Sequence, residues 1–372
     1  MRSFTESHIP MRTSPLLSRP ILGFCLCLLL TSTMITGRAY AIDIPKQPRL
    51  ISELSLATGT EFSGVEFGGI SGLFPTGAEH EYLAISDDRS EHAPARFYRL
   101  SLSPSDDIWQ FKLRSSHTLK TVTGKPFASG TLDPETIALL PSGDILWSSE
   151  GDKDHRPTLY LADRSGLTRK IYPLPQSFMH NKKKKTGIRR NRGPEGMTLI
   201  PGGKRALLAM EDALYQDGKT ASLKQGALIR LLEFDIENGQ WGAQYAYPTD
   251  PVPRRALLPP FIQVNGVTDI LWMDESRLLV LERAYSAGVG NTIKVFVTTL
   301  TGATPWREDQ PVMPLPKKLW FEIPSESFGE LKPDNLEAMA FGPVIDGKRT
   351  LILASDNNFN RLQKNQFLIL EF

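Results

Sequence analysis

The chain has 372 residues, 40% hydrophobic and 23% charged, with a formal net charge of +2 and two cysteines. That length holds two ordinary domains or one large β architecture. A charge this close to balance goes with no nucleic-acid partner. Both cysteines, Cys25 and Cys27, sit in the N-terminal segment, so the remainder has no disulfide, thiol nucleophile or thiolate metal site.

The N-terminal segment reads as a secretory signal. Arg12 and Arg19 precede the apolar run 21–30, and Ala39, Tyr40 and Ala41 supply the small residues of a cleavage site. The run is shorter than the roughly 20 residues a membrane span needs, and Phe24 before Cys25 is too large for lipoprotein cleavage. Residues 1–41 are therefore expected to be a signal peptide and 42–372 a periplasmic or secreted domain with no stable membrane span. An uncleaved anchor is the alternative. The segment carries four arginines and one glutamate, so its removal takes the formal charge to about −1.

Residues 42–49 are short and proline-bearing, and 50–56 then alternate as a strand should, without a hairpin partner nearby. Five hairpins follow, at 68–88, 132–152, 193–212, 265–283 and 334–358, beginning about 60 to 70 residues apart, which marks a repeat protein. The third, GPEGMTLIPGGKRALLAMED, shows the plan most clearly: an acidic residue, an apolar run, a Pro-Gly-Gly turn, a second apolar run and an acidic pair. Two further strands follow each of the first four hairpins, giving four-stranded blades. The fifth is followed by one strand, 366–372. The strand 50–56 is expected to complete that last blade and close an all-β propeller of five blades, with room for a sixth after Gln240 or Pro305. The run from Lys182 to Arg192 has no apolar period and reads as a solvated loop.

Aligned on Pro75, Pro141, Pro201, Asp274 and Pro343, the second strands end at Asp87, Glu150, Glu211, Glu282 and Asp356, and three of the first strands begin with Glu135, Glu195 and Glu337. Gly69 and Thr268 hold the other two starting positions. In a propeller these positions lie together at one mouth of the central channel, so up to eight carboxylates would ring it. Crowded carboxylates disfavour one another's ionisation, and a hard cation or basic side chains would relieve this. An oxygen-only ligand set points to Ca²⁺; Arg89, Arg283 and Arg361 are the basic candidates. A third possibility is that the carboxylates only accept backbone hydrogen bonds at blade corners. His155 and His180 fall in separate polar loops, and Gly69-Ile70-Ser71-Gly72 falls short of a nucleophile elbow.

The phrases DPETIALLPSGDILWSSEGD, GPEGMTLIPGG, NGVTDILWMDESRLLVLER and DNLEAMAFGP, with SDNNF near the end, resemble the bacterial family called esterase-like activity of phytase, from about residue 64 onward. The resemblance implies a calcium-associated propeller hydrolase acting on phosphate or carboxylate esters. The R-H-G-x-R-x-P motif of histidine acid phosphatases and the D-A-D-D-P phrase of β-propeller phytases are both absent. The expected function is a hydrolase of small anionic or ester substrates, monomeric, with calcium at the channel mouth. The alternatives are a non-catalytic propeller that binds a ligand or envelope partner, and a lactonase-like hydrolase using the same mouth.

Overall fold

A computed structural model describes residues 42–105, 108–325 and 331–372; the expected signal segment lies outside them. β1 (Arg49–Ala57) is followed by a small hairpin, β2 (Glu61–Phe62) and β3 (Val65–Glu66). The first blade is β4 (Ile70–Pro75), β5 (Glu81–Ser86), β6 (Arg96–Ser105) and β7 (Ile108–Thr118); the second is β8 (Pro134–Leu139), β9 (Ile145–Ser149), β10 (Thr158–Ala162) and β11 (Thr168–Pro173). The third is β12 (Pro194–Leu199), β13 (Arg205–Met210), β14 (Leu228–Asp235) and β15 (Gln240–Pro248); the fourth is β16 (Gln263–Trp272), β17 (Arg277–Ser286), β18 (Gly290–Thr299) and β19 (Lys317–Ile323). β20 (Asn335–Phe341), β21 (Thr350–Asp356) and β22 (Lys364–Glu371) begin the fifth, and β1 is its outer strand, running antiparallel to β22 from Arg49 opposite Glu371 to Ala57 opposite Lys364. The only helix among the described residues is one short 3-10 turn, Gln176–Phe178.

The ring closes because the first strands of the blades touch in order, β4 to β8 to β12 to β16 to β20 and back to β4. Among the described residues there is no sixth blade: after Gln240 the chain forms β15, and residues 305–316 hold no ladder strand.

Sheets stacked face to face in a ring bury both faces of their middle strands, which explains why the second strands read as unbroken apolar runs. The strand period of two then assigns alternate residues to alternate neighbours. Leu207 and Ala209 pack toward the fourth blade with Ile270 and Val280, whereas Ala206, Leu208 and Met210 pack toward the second with Leu146 and Ala138. Five such cores fill the five interblade spaces. Ile51, Leu54 and Leu56 of β1 cover the core between the fifth and first blades, beside Phe367.

Each first strand carries a register shift against its partner at the same place: around Ser71, Glu135 with Thr136, Glu195, Thr268 and Glu337. A bulge inserts one extra residue and turns its side chain out of the ordinary alternation. The five bulges leave backbone N–H groups without ladder partners, and one side chain captures several of them. Asp269, buried beside the bulge of β16, accepts the N–H of Ile270 and the N–H of Met339 in the neighbouring blade, each at 2.7 Å. Burial pushes its carboxyl well above the usual range, opposed by N–H donors that include Met197. Nothing in the sequence pattern singled out Asp269, because its partners belong to other blades.

Candidate functional site at the channel mouth

Backbone pairing fixes which residues are equivalent around the mouth. The N–H groups of Asp87, Glu150 and Glu211 donate to the carbonyls of Gly69, Asp133 and Gly193 at 2.7–2.8 Å, while Gly266 faces Arg283 and Asn335 faces Asp356. The second-strand ends are therefore Asp87, Glu150, Glu211, Arg283 and Asp356. Below them lie the bulge positions Ser71, Glu135, Glu195, Thr268 and Glu337.

Two expectations are corrected by this register. Arg283, and not Glu282, holds the fourth blade's place in the ring; a slip of one residue along a strand moves a side chain to the opposite face. Glu282 is instead buried, accepting from the Tyr247 hydroxyl (2.8 Å), Lys317 Nζ (2.7 Å), Asn265 Nδ2 (2.9 Å) and the Asp250 N–H (2.8 Å). Ser71, not Gly69, is the first blade's counterpart of Glu135. The hydroxyls of Ser71 and Thr268 are buried with no hydrogen-bond partner, as is Asp87 Oδ1.

Glycines make room for this crowd. A β-carbon on Gly193 would stand 2.7 Å from Glu150 Cγ, and one on Gly266 would stand 2.7 Å from Glu211 Cγ. Glu150 and Glu211 thus each lie over the glycine of the next blade, and the Gly193 N–H donates to Glu150 Oε1 at 2.6 Å.

Two carboxylate groups result. Asp133, Glu135 and Glu150 each bring an oxygen within 4.8 Å of the others, as do Glu150, Glu195 and Glu211, so Glu150 belongs to both. Burial, and then neighbouring negative charge, pushes Glu135, Glu150 and Glu195 well above the usual carboxylate range. Among the described residues no ion pair reaches any of these three.

The rest of the ring is partly neutralised. Arg89 forms a two-point pair with Asp133, its Nε donating to Oδ1 at 2.8 Å. Arg192 donates to Asp212 Oδ2 at 3.0 Å and lies 3.9 Å from Glu211. Arg283 donates to Glu337 Oε1 at 2.9 Å, and Asn335 Nδ2 donates to both Glu337 and Asp356. Burial still raises Glu211 and Glu337, with Arg192 and Arg283 pulling Glu211 down and Arg283 pulling Glu337 down. Asp356 is held well above its usual value by burial and by Asp87; Asp87 itself is pushed up to about 8 by burial, Glu337 and Asp133. Arg361, the third basic candidate, is exposed on the rim.

The loop from His180 to Arg192 is only half solvated. Lys182, Lys183, Lys184 and Lys185 are exposed, but Ile188 is buried, Arg189 lies over the Tyr215 ring at 4.4 Å and Arg192 pairs with Asp212. The fold also brings His155 and His180 together, edge to face at 5.2 Å between ring centres. His155 lines a cavity of about 280 Å³ with Arg89, Asp133, Glu150 and Arg190. Burial and His180 hold its pKa below the usual histidine value, so it is neutral near pH 7. Residue spacing carries no sign of this, since its cavity partners come from distant loops.

These carboxyls bind more protons in the folded chain than in the unfolded one. A raised folded-state pKa gives stability that is complete below the ordinary carboxylate range and lost as pH rises through the raised value. In chelator, the melting temperature is therefore expected to fall by roughly 5–10 °C between about pH 5 and pH 9. Scanning calorimetry checks this, and a flat or rising profile contradicts it.

The chain matches the family described as phytase-like, esterase-like activity of phytase, over residues 65–359. No curated protein matches it. Among solved structures it is similar to a protein of unknown function from Bacteroides caccae, at 12% identity and a TM-score of 0.37 over 79% of this chain and 73% of that one. Five blades built on one repeated hairpin and a family match over most of the chain lead to one assignment: the chain belongs to the phytase-like family of esterase-like activity, a hydrolase-type propeller.

Proposed function

We propose that the protein is an exported hydrolase of small phosphate or carboxylate esters, working at the channel mouth with a calcium ion held by Asp133, Glu135, Glu150, Glu195 and Glu211. The observation that carries this reading is the pair of carboxylate groups sharing Glu150. Their donor set suits the ion: oxygens only, several anionic, buried at Glu135 and Glu150 and half-buried at Glu195, with no ion-pair partner among the described residues at these three. When bound, such a cation polarises an ester oxygen and acidifies water.

The chain's own groups supply the remaining chemistry. Arg89 and Arg283, on different sides of the mouth, attract and orient the anionic part of a substrate. His155, neutral and facing the same cavity as Asp133 and Glu150, is placed to take up a proton. Burial of Ser71, Glu135, Thr268 and Glu337 keeps bulk water from four of the five bulge positions. The arginines favour a second reading, in which half the ring is already neutralised and the propeller binds an anion without turning it over.

Calcium titration and melting of the 42–372 domain, followed by a panel of phosphate and carboxylate esters, test both. Melting that rises with calcium and falls with chelator, together with ester turnover, is the expected result. Unchanged melting sinks the cation reading; calcium binding without turnover leaves the binding propeller. Export is supported by the charged, apolar and Ala39-Tyr40-Ala41 pattern. Mass spectrometry of exported protein is expected to find a start near Ile42, and an intact Met1 contradicts it. Among the described residues no helix is long and apolar enough to cross a membrane.

A further inference from the structure

The fourth blade stands higher than the others at the mouth. Its strands continue three residue pairs beyond the ring level, from Gly266 opposite Arg283 to Gln263 opposite Ser286, about 10 Å of extra hairpin at strand spacing. The loop that leads into β16 is fastened on this tip. The N–H groups of Leu257 and Leu258 donate to the Ala287 carbonyl at 2.7 and 3.1 Å, Ala287 N–H donates to Ile262, and Ala256 N–H donates to the Gln263 side chain.

The side chains this pinned loop presents are apolar: Leu257 is 66% exposed, Leu258 58%, Phe261 61% and Ile262 50%. Four large apolar side chains in six residues, held outward by a hydrogen-bonded frame, form a patch of the kind that marks an interaction surface. Arg255 precedes it, and no acidic residue occurs between Pro251 and Thr268. Across a mouth cavity of about 1260 Å³, lined on this side by Tyr285 and Asn291, the opposite wall carries Lys332, Arg361 and Leu362, the last 93% exposed, with Asp334 and Glu337 also in the lining. A protruding apolar tip with basic shoulders fits the headgroup layer of an anionic lipid surface, where apolar groups insert and cations meet phosphate.

We infer that the 257–262 loop docks the propeller, mouth first, onto anionic lipid. This goes beyond the hydrolase reading and does not depend on calcium in the channel. The experiment sediments the 42–372 domain, which holds all five blades and the closing strand, with vesicles of phosphatidylcholine alone or in equal parts with phosphatidylglycerol. Binding is expected to favour the anionic vesicles by at least about tenfold. The double variant Leu257→Ser with Phe261→Asn, the latter suited to the positive φ of 58° at that position, should lose at least about tenfold of that binding. Its melting temperature should stay that of the parent, because the exchanged side chains are exposed. Arg255→Glu should lower the preference for anionic vesicles. No binding by the parent, equal binding by the double variant, or a dimer in light scattering that the double variant abolishes would each overturn the inference, the last by giving the patch to a second copy.

Discussion

Replacing Glu150 with Gln is expected to weaken calcium binding at least tenfold, about 1.4 kcal/mol, and at the same time to leave the metal-free protein as stable as the parent or more so. The two effects have opposite signs for one reason. Glu150 is the residue common to both carboxylate groups, so losing its charge weakens the ligand set on both sides. Without a cation that same charge is opposed by burial and by Asp133 and Glu211, and an amide removes the opposition. The fold has little to lose, because Gln keeps an oxygen for the Gly193 N–H. Calorimetric titration and melting curves at about pH 8 with and without calcium separate the two effects. Glu282→Gln is the internal control: it breaks a buried pair with Lys317, so stability should fall by about 3 kcal/mol while calcium affinity stays put. Equal calcium affinity in parent and Glu150→Gln would remove the shared site from consideration.

The second large effect is expected from deleting β1. Its ladder with β22 is the only strand pairing that joins the two ends of the described chain. Deletion uncovers Ile51, Leu54 and Leu56 from the core between the fifth and first blades, at about 1 kcal/mol for each half-buried side chain, or about 3 kcal/mol in total. It also turns β22 into an edge with unpaired backbone groups, which invites association. A melting temperature lowered by more than about 5 °C, with light scattering on heating, is the expected outcome. A truncated chain that melts like the parent would show that the ring holds without this strand. A gentler probe, Leu54→Asp, should move stability in the same direction.

The blades were legible in the sequence because each hairpin pairs within itself, so its apolar period, its turn and its flanking acids are all local. The closing strand was legible from a mismatch, a strand at 50–56 without a partner and a last blade one strand short. What sequence spacing could not fix was register across turns of different length. The fourth hairpin turns at Asp274 where the others use proline, and counting from it placed Glu282 where backbone pairing places Arg283. The adjacent acidic residue made the wrong position look right. Asp269 was missed, and His155 was read only as part of a polar loop, for a related reason, since what makes each notable is a contact with another blade or loop. The arginine half of the basic loop looked solvated because Arg192 finds Asp212 only after the third blade has folded.

The bulge at the head of every first strand gives the mouth five equivalent positions but not five equal charges. The two tight carboxylate groups lie at the second and third blades, whereas Arg283 stands at the fourth and hydroxyls occupy the bulges of the first and fourth. A ring charged in this way carries a dipole across its diameter. A cation entering it is drawn off the pseudo-fivefold axis toward Glu150, and an anion is drawn the other way, toward Arg283 and the larger cavity beside it. The symmetry that builds the scaffold is thus broken at the one level where a ligand would meet it, so a bound molecule has a head and a tail direction in a channel whose walls alone would give it none.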